Sequence, residues 1–401
     1  MSTMNGEPTY RWYVLTLAAL THTFAVAMPV MCMPVLFKEI SKDLGLSLVQ
    51  VGVIWGMGSL SGMFTGLIGG SIGDRVGIRR TLSTTCLLAG LTGALRGLSG
   101  SFITLAATVF LFGLLPPAIP PNIHKTCGIW FSGRHLGLAN GVVSAGMALG
   151  FMVGSLISAT VLSPWLGGWR NVLFFYGTIS IVISIPWGLM RIPPRDSESP
   201  SDAHTLSLRQ ALSHVVDIRN VWVLGLVMLG IGGCLQGMLG YLPLYLQEVG
   251  WTKASADGAL AAFHGISLIS TIPIAFLSDR LGSRKTILIV ATFMTTIGVG
   301  LLSIADGTRV WVSVAMAGIV RDGFMAIFMT MVLEIKGVGT RYAGTAMGMV
   351  MIFYRLGGLI SPPLGNSLAA IDLGLPFIFW AALATVAFFG FYLVKEEKRE
   401  V

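Results

Sequence analysis

Apolar stretches of about 20 residues alternate with short polar segments along the whole chain. A stretch of that length crosses the hydrocarbon core of a bilayer when it forms a helix. We predict twelve such helices, at residues 12–36, 49–71, 81–99, 103–124, 138–162, 170–190, 221–246, 257–277, 285–304, 310–333, 343–367 and 374–394. The pattern therefore predicts an all-α membrane protein with twelve transmembrane helices, six in each half of the chain.

The second half of the chain repeats landmarks of the first half. Three pairs carry the repeat: Asp74 with Asp279, residues 33–40 with residues 242–249, and Arg134 with Arg341. Their offsets of 205, 209 and 207 residues agree closely, and a repeat of about 200 residues is too long for a solenoid unit. We predict two pseudo-symmetric six-helix bundles, residues 1–194 and 220–401, joined by a polar linker at residues 195–219.

The composition excludes an ordinary soluble domain. Hydrophobic residues make up 54% of the chain and charged residues 11%, with a mean hydropathy of +0.79, whereas a soluble domain carries about 25% charged residues. The first apolar run is too long for a cleaved signal peptide, so we expect it to remain as a membrane helix. The lipid bilayer is therefore the expected surrounding of most of the chain.

The distribution of positive charge predicts the orientation. The net charge is +8, which in a soluble protein would suggest a nucleic-acid partner. Of the 26 Lys and Arg residues, 17 fall on one side of the predicted topology, six on the other and three inside predicted helices. Cytoplasmic loops carry such an excess. We therefore predict a protein of the cytoplasmic membrane, with both termini and the linker in the cytoplasm and no nucleic-acid partner.

Two short charged segments of similar sequence connect predicted helices 2 and 3 and predicted helices 8 and 9. Their pattern, Asp-Arg-x-Gly-x-Arg-Arg/Lys between apolar helices, resembles the loop signature of the major facilitator superfamily of secondary transporters. The first segment contains Asp74, Arg75, Gly77, Arg79 and Arg80, and the second contains Asp279, Arg280, Gly282, Arg284 and Lys285. The resemblance implies two bundles that work by alternating access, with these loops as cytoplasmic latches of the outward-facing state.

Small residues at four-residue spacing mark the surfaces on which membrane helices approach closely. Such ridges occur in predicted helix 2, at Gly58, Gly62, Gly66 and Gly70, and in predicted helix 5, at Gly146, Gly150 and Gly154. In the superfamily that the loops resemble, helices 2, 5, 8 and 11 form the seam between the halves. We therefore expect both ridges at that seam, with ordinary packing inside a bundle as the alternative.

Three charged residues, Arg321, Asp322 and Arg355, lie near the middle of predicted helices 10 and 11. An ionisable side chain at that depth is costly unless it is paired or hydrated, so each is a functional candidate. Neighbours on a helix point about 100° apart. We therefore expect Asp322 to pair with Arg355 and balance its charge, while Arg321 faces a cavity and binds an oxyanion with its planar fork. A purely structural network of all three is the alternative.

By the same resemblance, helices 1, 4 and 7 also line the cavity. They offer His22, Asn122, Gln236 and Tyr241 as substrate-binding candidates. Asn122 follows the proline-rich segment 116–121, which must bend or break helix 4 and free carbonyl groups toward the cavity. His22 could titrate near neutral pH, with a packing role as the alternative. A co-transported proton is left open.

The segment Trp130 to Gly141 resembles the connection between helices 4 and 5 in anion-transporting branches of the superfamily, such as the oxalate/formate and monocarboxylate porters. The resemblance implies a secondary transporter of a small anion. The alternative is a proton-coupled drug efflux antiporter, although residues 150–155 lack the Gly-Pro-x-x-Gly-Gly pattern of that branch. Neither a phosphate-binding Walker loop nor an HExxH motif occurs, so we predict no enzyme, no cofactor and no metal. We expect a monomer.

Overall fold

The computed structural model describes residues 7–65, 73, 75–191, 208–281, 283–319 and 321–394. Helices account for almost all of this part of the chain. We number them α1 Glu7–Thr21, α2 Met28–Leu44, α3 Leu48–Thr65, α4 Ile78–Leu95, α5 Phe102–Gly113, α6 Ile119–Trp130, α7 Arg134–Ile157, α8 Ser163–Leu166, α9 Trp169–Leu189, α10 Leu208–Val216, α11 Arg219–Glu248, α12 Lys253–Leu281, α13 Arg284–Leu301, α14 Thr308–Gly318, α15 Arg321–Leu333, α16 Gly339–Leu368 and α17 Leu375–Leu393.

Eleven helical segments within the described residues are long and apolar enough to cross a membrane. They coincide with eleven of the twelve predicted spans, and several consist of two helices in line. The third predicted span corresponds to α4, which is not among the eleven. Its first turn carries Arg79 and Arg80, and these charges lower its mean hydropathy. The all-α membrane fold predicted from the sequence is confirmed.

Regular α-helix is interrupted inside several of the described spans, and in one of them the sequence gives the cause. The fourth span breaks between α5 and α6 at a 3₁₀ turn, Pro116–Ala118, because proline lacks the N–H that the helix ladder needs. In the tenth span, α14 ends at Gly318, Ile319 forms a turn, and the described part of α15 begins at Arg321. A π-helical turn, His22–Ala27, joins α1 to α2. These breaks place irregular backbone at membrane depth, which is tolerated where protein or a cavity covers it.

We refer to α1–α9 as the N-terminal bundle and to α11–α17 as the C-terminal bundle. The two meet where α3 packs against α16 and α7 against α12. The α3–α16 contact is very close. A β-carbon at Gly52 would lie 2.7 Å from the backbone of Pro363, and one at Gly56 would lie 2.8 Å from the carbonyl oxygen of Leu359. The lack of a side chain at Gly52 and at Gly56 therefore sets how closely the two bundles approach each other here.

Of the two glycine ridges predicted for the seam, only the one on α3 reaches it: a β-carbon at Gly62 would lie 2.8 Å from the guanidinium carbon of Arg355 on α16. Gly58 has open space beside it, and Gly66 and Gly70 fall outside the described residues. On α7, a β-carbon at Gly150 would lie 2.6 Å from Ala27, and one at Gly154 would lie 2.9 Å from Met28. The α7 glycines thus pack inside the N-terminal bundle. The ridge pattern indicates close packing, but it does not tell which neighbour is approached.

The connections between spans lie alternately at two membrane faces. We call the face at which α2 ends and α3 begins the Glu39 face, and the opposite one the Arg79 face. Polar contacts join the two bundles at the Glu39 face. They are the ion pairs Lys38–Glu248, at 2.5 Å, and Glu39–Lys253, and the hydrogen bonds from Thr160 to Asp257, at 2.7 Å, and from Asn366 to the carbonyl of Leu48, at 2.8 Å. The transporter-like pair of bundles is therefore closed at the Glu39 face.

Candidate functional site

A cavity of about 400 Å³ lies between the two bundles. Its wall is formed from α2, α3, α5 and α7 on one side and from α11, α15 and α16 on the other, and most of the lining is apolar. Four lining residues carry a charge or an amide: Arg96, Gln236, Arg321 and Arg355. Within the described part of the chain, no acidic side chain lines it. A volume of this size suits a small solute.

Arg355 projects from α16 toward α3 of the other bundle. A β-carbon on Gly62 would lie 2.8 Å from the central carbon of its guanidinium group, so the glycine makes the space that the side chain fills. Among the residues that the structure describes, none forms a hydrogen bond or an ion pair with Arg355. The pair predicted between Asp322 and Arg355 is therefore wrong.

Asp322 instead pairs with its own neighbour. Nη1 of Arg321 lies 2.9 Å from Oδ1 of Asp322, and the Asp322 amide donates a hydrogen bond of 3.1 Å to the hydroxyl of Ser267. The prediction assumed one continuous helix through the tenth span, whereas α14 ends at Gly318 and both residues lie in the first turn of α15. The helix dipole also favours a carboxylate at this end.

Arg321 is held among aromatic rings at the edge of the cavity. Its guanidinium carbon lies 5.3 Å from the ring centre of Phe151 and 5.8 Å from that of Phe263, within the range of cation–π attraction. Nη1 also lies 3.5 Å from Nδ1 of the buried His264. These contacts fix the side chain from both bundles, since Phe151 belongs to α7 and Phe263 to α12.

Arg96 is the lining residue that sequence reasoning missed. It follows α4 in a short 3₁₀ turn, Arg96–Leu98, and only 1% of it is exposed. Its Nε donates to the carbonyl of Gly93 at 3.2 Å, Nη1 donates to that of Pro29 at 3.0 Å, and the guanidinium stacks 3.8 Å from the centre of the Phe112 ring. Its Nη2 is buried without a partner.

No sequence signal marks Arg96. An arginine near the end of an apolar run looks like an interfacial residue, so we counted it among the six positive residues on the non-cytoplasmic side. Only the way in which α2 and α5 pack over the turn shows that it is enclosed. The cavity therefore receives three guanidinium groups, and Asp322, the one carboxylate paired with any of them among the described residues, offsets one.

The remaining predicted binding residues divide into two groups. Gln236 lines the cavity, and its backbone carbonyl accepts a hydrogen bond of 2.7 Å from Nε1 of Trp55 across the seam. His22, Asn122 and Tyr241 do not line it. Each is buried and lies within hydrogen-bond distance of a backbone carbonyl. Nδ1 of His22 lies 3.2 Å from the carbonyl of Val143, the Asn122 amide nitrogen donates to that of Ala118 at 2.7 Å, and the Tyr241 hydroxyl donates to that of Leu373 at 3.2 Å. The backbone thus engages one polar atom of each of these residues, while Nε2 of His22 is buried without a hydrogen-bond partner in the described part of the chain.

The charged loops lie at the Arg79 face. Asp74 and Gly282 fall outside the described residues, and the side chain of Asp279 is not described. Four arginines, Arg75, Arg79, Arg80 and Arg280, are exposed. Gly77 has a φ of 92°, which only glycine adopts readily. Arg284 pairs with Glu334 at 3.2 Å, and Lys285 donates to the carbonyl of Val394 at 2.7 Å. Both contacts lie within the C-terminal bundle, so the latch role stays a prediction.

Comparison of the sequence with known proteins shows to which family this architecture belongs. The model of the Major Facilitator Superfamily matches residues 15–362 and, in a second match, residues 259–401. The chain is 23% identical to a probable sulfoacetate transporter of Cupriavidus necator, over 80% of this chain and 79% of that protein. It is 23% identical to a gentisate transporter of Corynebacterium glutamicum, over 66% and 60% of the two chains.

Solved structures show the same fold. A bacterial homologue of the human lysosomal transporter Spinster, in an inward-facing and unoccupied conformation, superposes with a TM-score of 0.77 at 17% identity, over 97% of this chain and 95% of that one. The transporter FucP in the outward conformation gives 0.63 at 14% identity, over 96% and 99%. With the family model covering most of its length, the chain belongs to the major facilitator superfamily and is a multi-pass membrane transport protein for a small molecule, not an enzyme.

Proposed function

We propose that this transporter moves a small organic anion by alternating access, and that the anion binds between the guanidinium groups of the central cavity. One observation carries the proposal: Arg96, Arg321 and Arg355 converge on a cavity of about 400 Å³ whose described lining holds no carboxylate. An arginine at membrane depth costs roughly 3 kcal/mol or more without a counter-charge. A bound anion supplies that charge.

The charge balance favours a substrate with two acidic groups. Asp322 offsets Arg321, which leaves Arg96 on the N-terminal bundle and Arg355 on the C-terminal bundle. A ligand with an anionic group at each end can bind one guanidinium on each bundle and draw the bundles together. Sulfoacetate, named for one relative, carries a sulfonate and a carboxylate, and gentisate, named for another, is a carboxylate. These names support an anion without identifying it for this chain.

The alternative, a proton-coupled drug efflux antiporter, fits the cavity less well. Lipophilic cations are recognised by buried carboxylates or by aromatic surfaces without competing cations. Here three arginines would repel such a ligand. The anion proposal accounts for the same residues without any added group.

Orientation, coupling and assembly complete the proposal. The excess of exposed arginines at the Arg79 face favours a cytoplasmic location for it in the cytoplasmic membrane, with the charged loops as its latch. Asp322 is the candidate for coupling, because protonation of this carboxylate would release Arg321 to the substrate and bind a proton with the anion. The cavity is formed by a single chain, which supports a monomer as the working unit.

Thermal unfolding of the purified transporter tests the substrate class. Sulfoacetate, malonate, acetate and a lipophilic cation would be added separately at equal concentration, since a ligand that binds the folded state raises the melting temperature more the tighter it binds. We expect the two dianions to stabilise the protein more than acetate does, and the effect to be lost in Arg355→Gln. Arg309→Gln is the matched control, since Arg309 is 79% exposed at the Glu39 face. Stabilisation by the cation alone would refute the proposal.

A further inference from the structure

Asp257 stands out among the acidic residues outside the cavity. It lies in the second turn of α12, yet none of its surface is exposed. Its Oδ2 accepts a hydrogen bond of 2.7 Å from the hydroxyl of Thr160, which belongs to the other bundle. Its Oδ1 is buried and has no hydrogen-bond partner. This carboxyl group is therefore enclosed in the contact that closes the Glu39 face.

The charges around Asp257 do not compensate an ionised carboxylate. Lys253, one turn earlier on α12, and Glu39, on α2, are the charged groups that act on it. Lys253 forms an ion pair with Glu39, and Glu39 also accepts a hydrogen bond of 2.5 Å from the hydroxyl of Ser163. One cation thus faces two carboxylates. A buried carboxylate with a single neutral donor carries a large desolvation cost in its ionised form, whereas the cost of the neutral acid is much smaller.

We infer that Asp257 is a proton-binding site that reports on, and controls, closure of the Glu39 face. With the face closed, Asp257 holds a proton. When the bundles part, the hydrogen bond from Thr160 separates, water reaches the carboxyl group, and the proton leaves to that water. Because the closed state binds the proton more tightly, low pH favours closure and rising pH favours opening. The site is separate from the arginine cavity, and the inference does not depend on which solute is carried.

A distance measurement across the Glu39 face tests this. Spin labels would be placed at Lys42→Cys and Ala254→Cys, two exposed positions on opposite bundles, in a background that lacks the four buried native cysteines. In the parent protein, the ratio of open to closed distances should rise with pH, by at most about tenfold per pH unit for one linked proton. In Asp257→Asn, which is neutral at every pH, the closed distance should dominate throughout.

Two further variants separate Asp257 from its neighbours. Glu39→Gln removes the other carboxylate and should leave a pH-dependent transition. Thr160→Val keeps the carboxyl group but removes the donor that favours its ionised form, so the transition should move to higher pH. A parent protein with no pH dependence, or an Asp257→Asn variant that opens with pH as the parent does, would overturn the inference. A Glu39→Gln variant without any transition would reassign the proton to Glu39.

Discussion

The seam between α3 and α16 offers a direct test of what holds the Glu39 face closed. Gly56→Ala adds one methyl group where the carbonyl oxygen of Leu359 lies 2.8 Å from the β-carbon position, against 3.4 Å or more for an ordinary contact. The neighbour is backbone in the middle of α16, so it cannot rotate away. The two helices must separate by about half an ångström, and overpacking of this kind costs about 1–3 kcal/mol.

That cost falls on the closed state alone. When the face opens, the helices part and the methyl group meets no atom of α16. The ratio of closed to open molecules should therefore drop about 5- to 150-fold, since each 1.4 kcal/mol is a factor of ten. The same pair of labels, at residues 42 and 254, measures this ratio, and a thermal unfolding curve shows that the variant still folds.

Gly58→Ala is the matched control. It makes the same substitution two residues away on the same helix, where nothing lies within 4 Å of the added carbon. We expect it to match the parent protein in the distance measurement. If the two alanine variants behave alike, or if Gly56→Ala leaves the closed distance dominant, backbone contact does not control closure and the reasoning fails.

Three other variants test the site and its orientation. Arg96→Gln should weaken dianion binding about 10- to 150-fold in a binding titration, since a hydrogen bond to a charged group contributes about 1.5–3 kcal/mol. Arg96→Lys should restore only part of the affinity because lysine lacks the planar fork; unchanged affinity in both variants would remove Arg96 from the site. Asp322→Asn frees the guanidinium group of Arg321 and should therefore retain or raise the affinity for the anion, whereas Arg321→Gln removes that group and should lower it. Equal losses of affinity in the two variants would contradict the competition between Asp322 and substrate. A cysteine at position 42 should react with an impermeant thiol reagent added outside whole cells and one at position 79 should not, and the reverse result would invert the proposed topology.

The fold could be predicted because its determinants are local. Each span is recognised by a run of about twenty apolar residues, and the break in the fourth span follows from prolines, which have no N–H to donate to the helix ladder. The internal repeat predicts two bundles, because the two halves of the chain have similar sequences and similar sequences form similar folds. None of these arguments needs to know which helices touch.

The site depended on contacts that the sequence does not state. Arg321 and Asp322 were predicted to point apart because neighbours on one continuous helix do so. The break at Gly318 removed the basis of that argument. Arg96 was assigned to an interface because its position along the chain says nothing about the helices that cover it. His22 and Asn122 are polar residues in apolar helices, and only the structure shows that a nitrogen of each lies within hydrogen-bond distance of a backbone carbonyl.

Arg96 and Arg355, the two cavity arginines that Asp322 does not offset, differ in how firmly they are held. Arg96 is fixed by two carbonyl groups and an aromatic ring, all within the N-terminal bundle, whereas Arg355 rests against the bare backbone of Gly62. A rigid donor loses little conformational entropy when a ligand arrives, while a loosely held one loses more. For the anion binding proposed above, the N-terminal bundle would therefore carry a preorganised anchor and the C-terminal bundle an adaptable one. The head group that meets Arg96 will be discriminated by shape, and the one that meets Arg355 chiefly by charge, so variation among accepted substrates should concentrate at the Arg355 end.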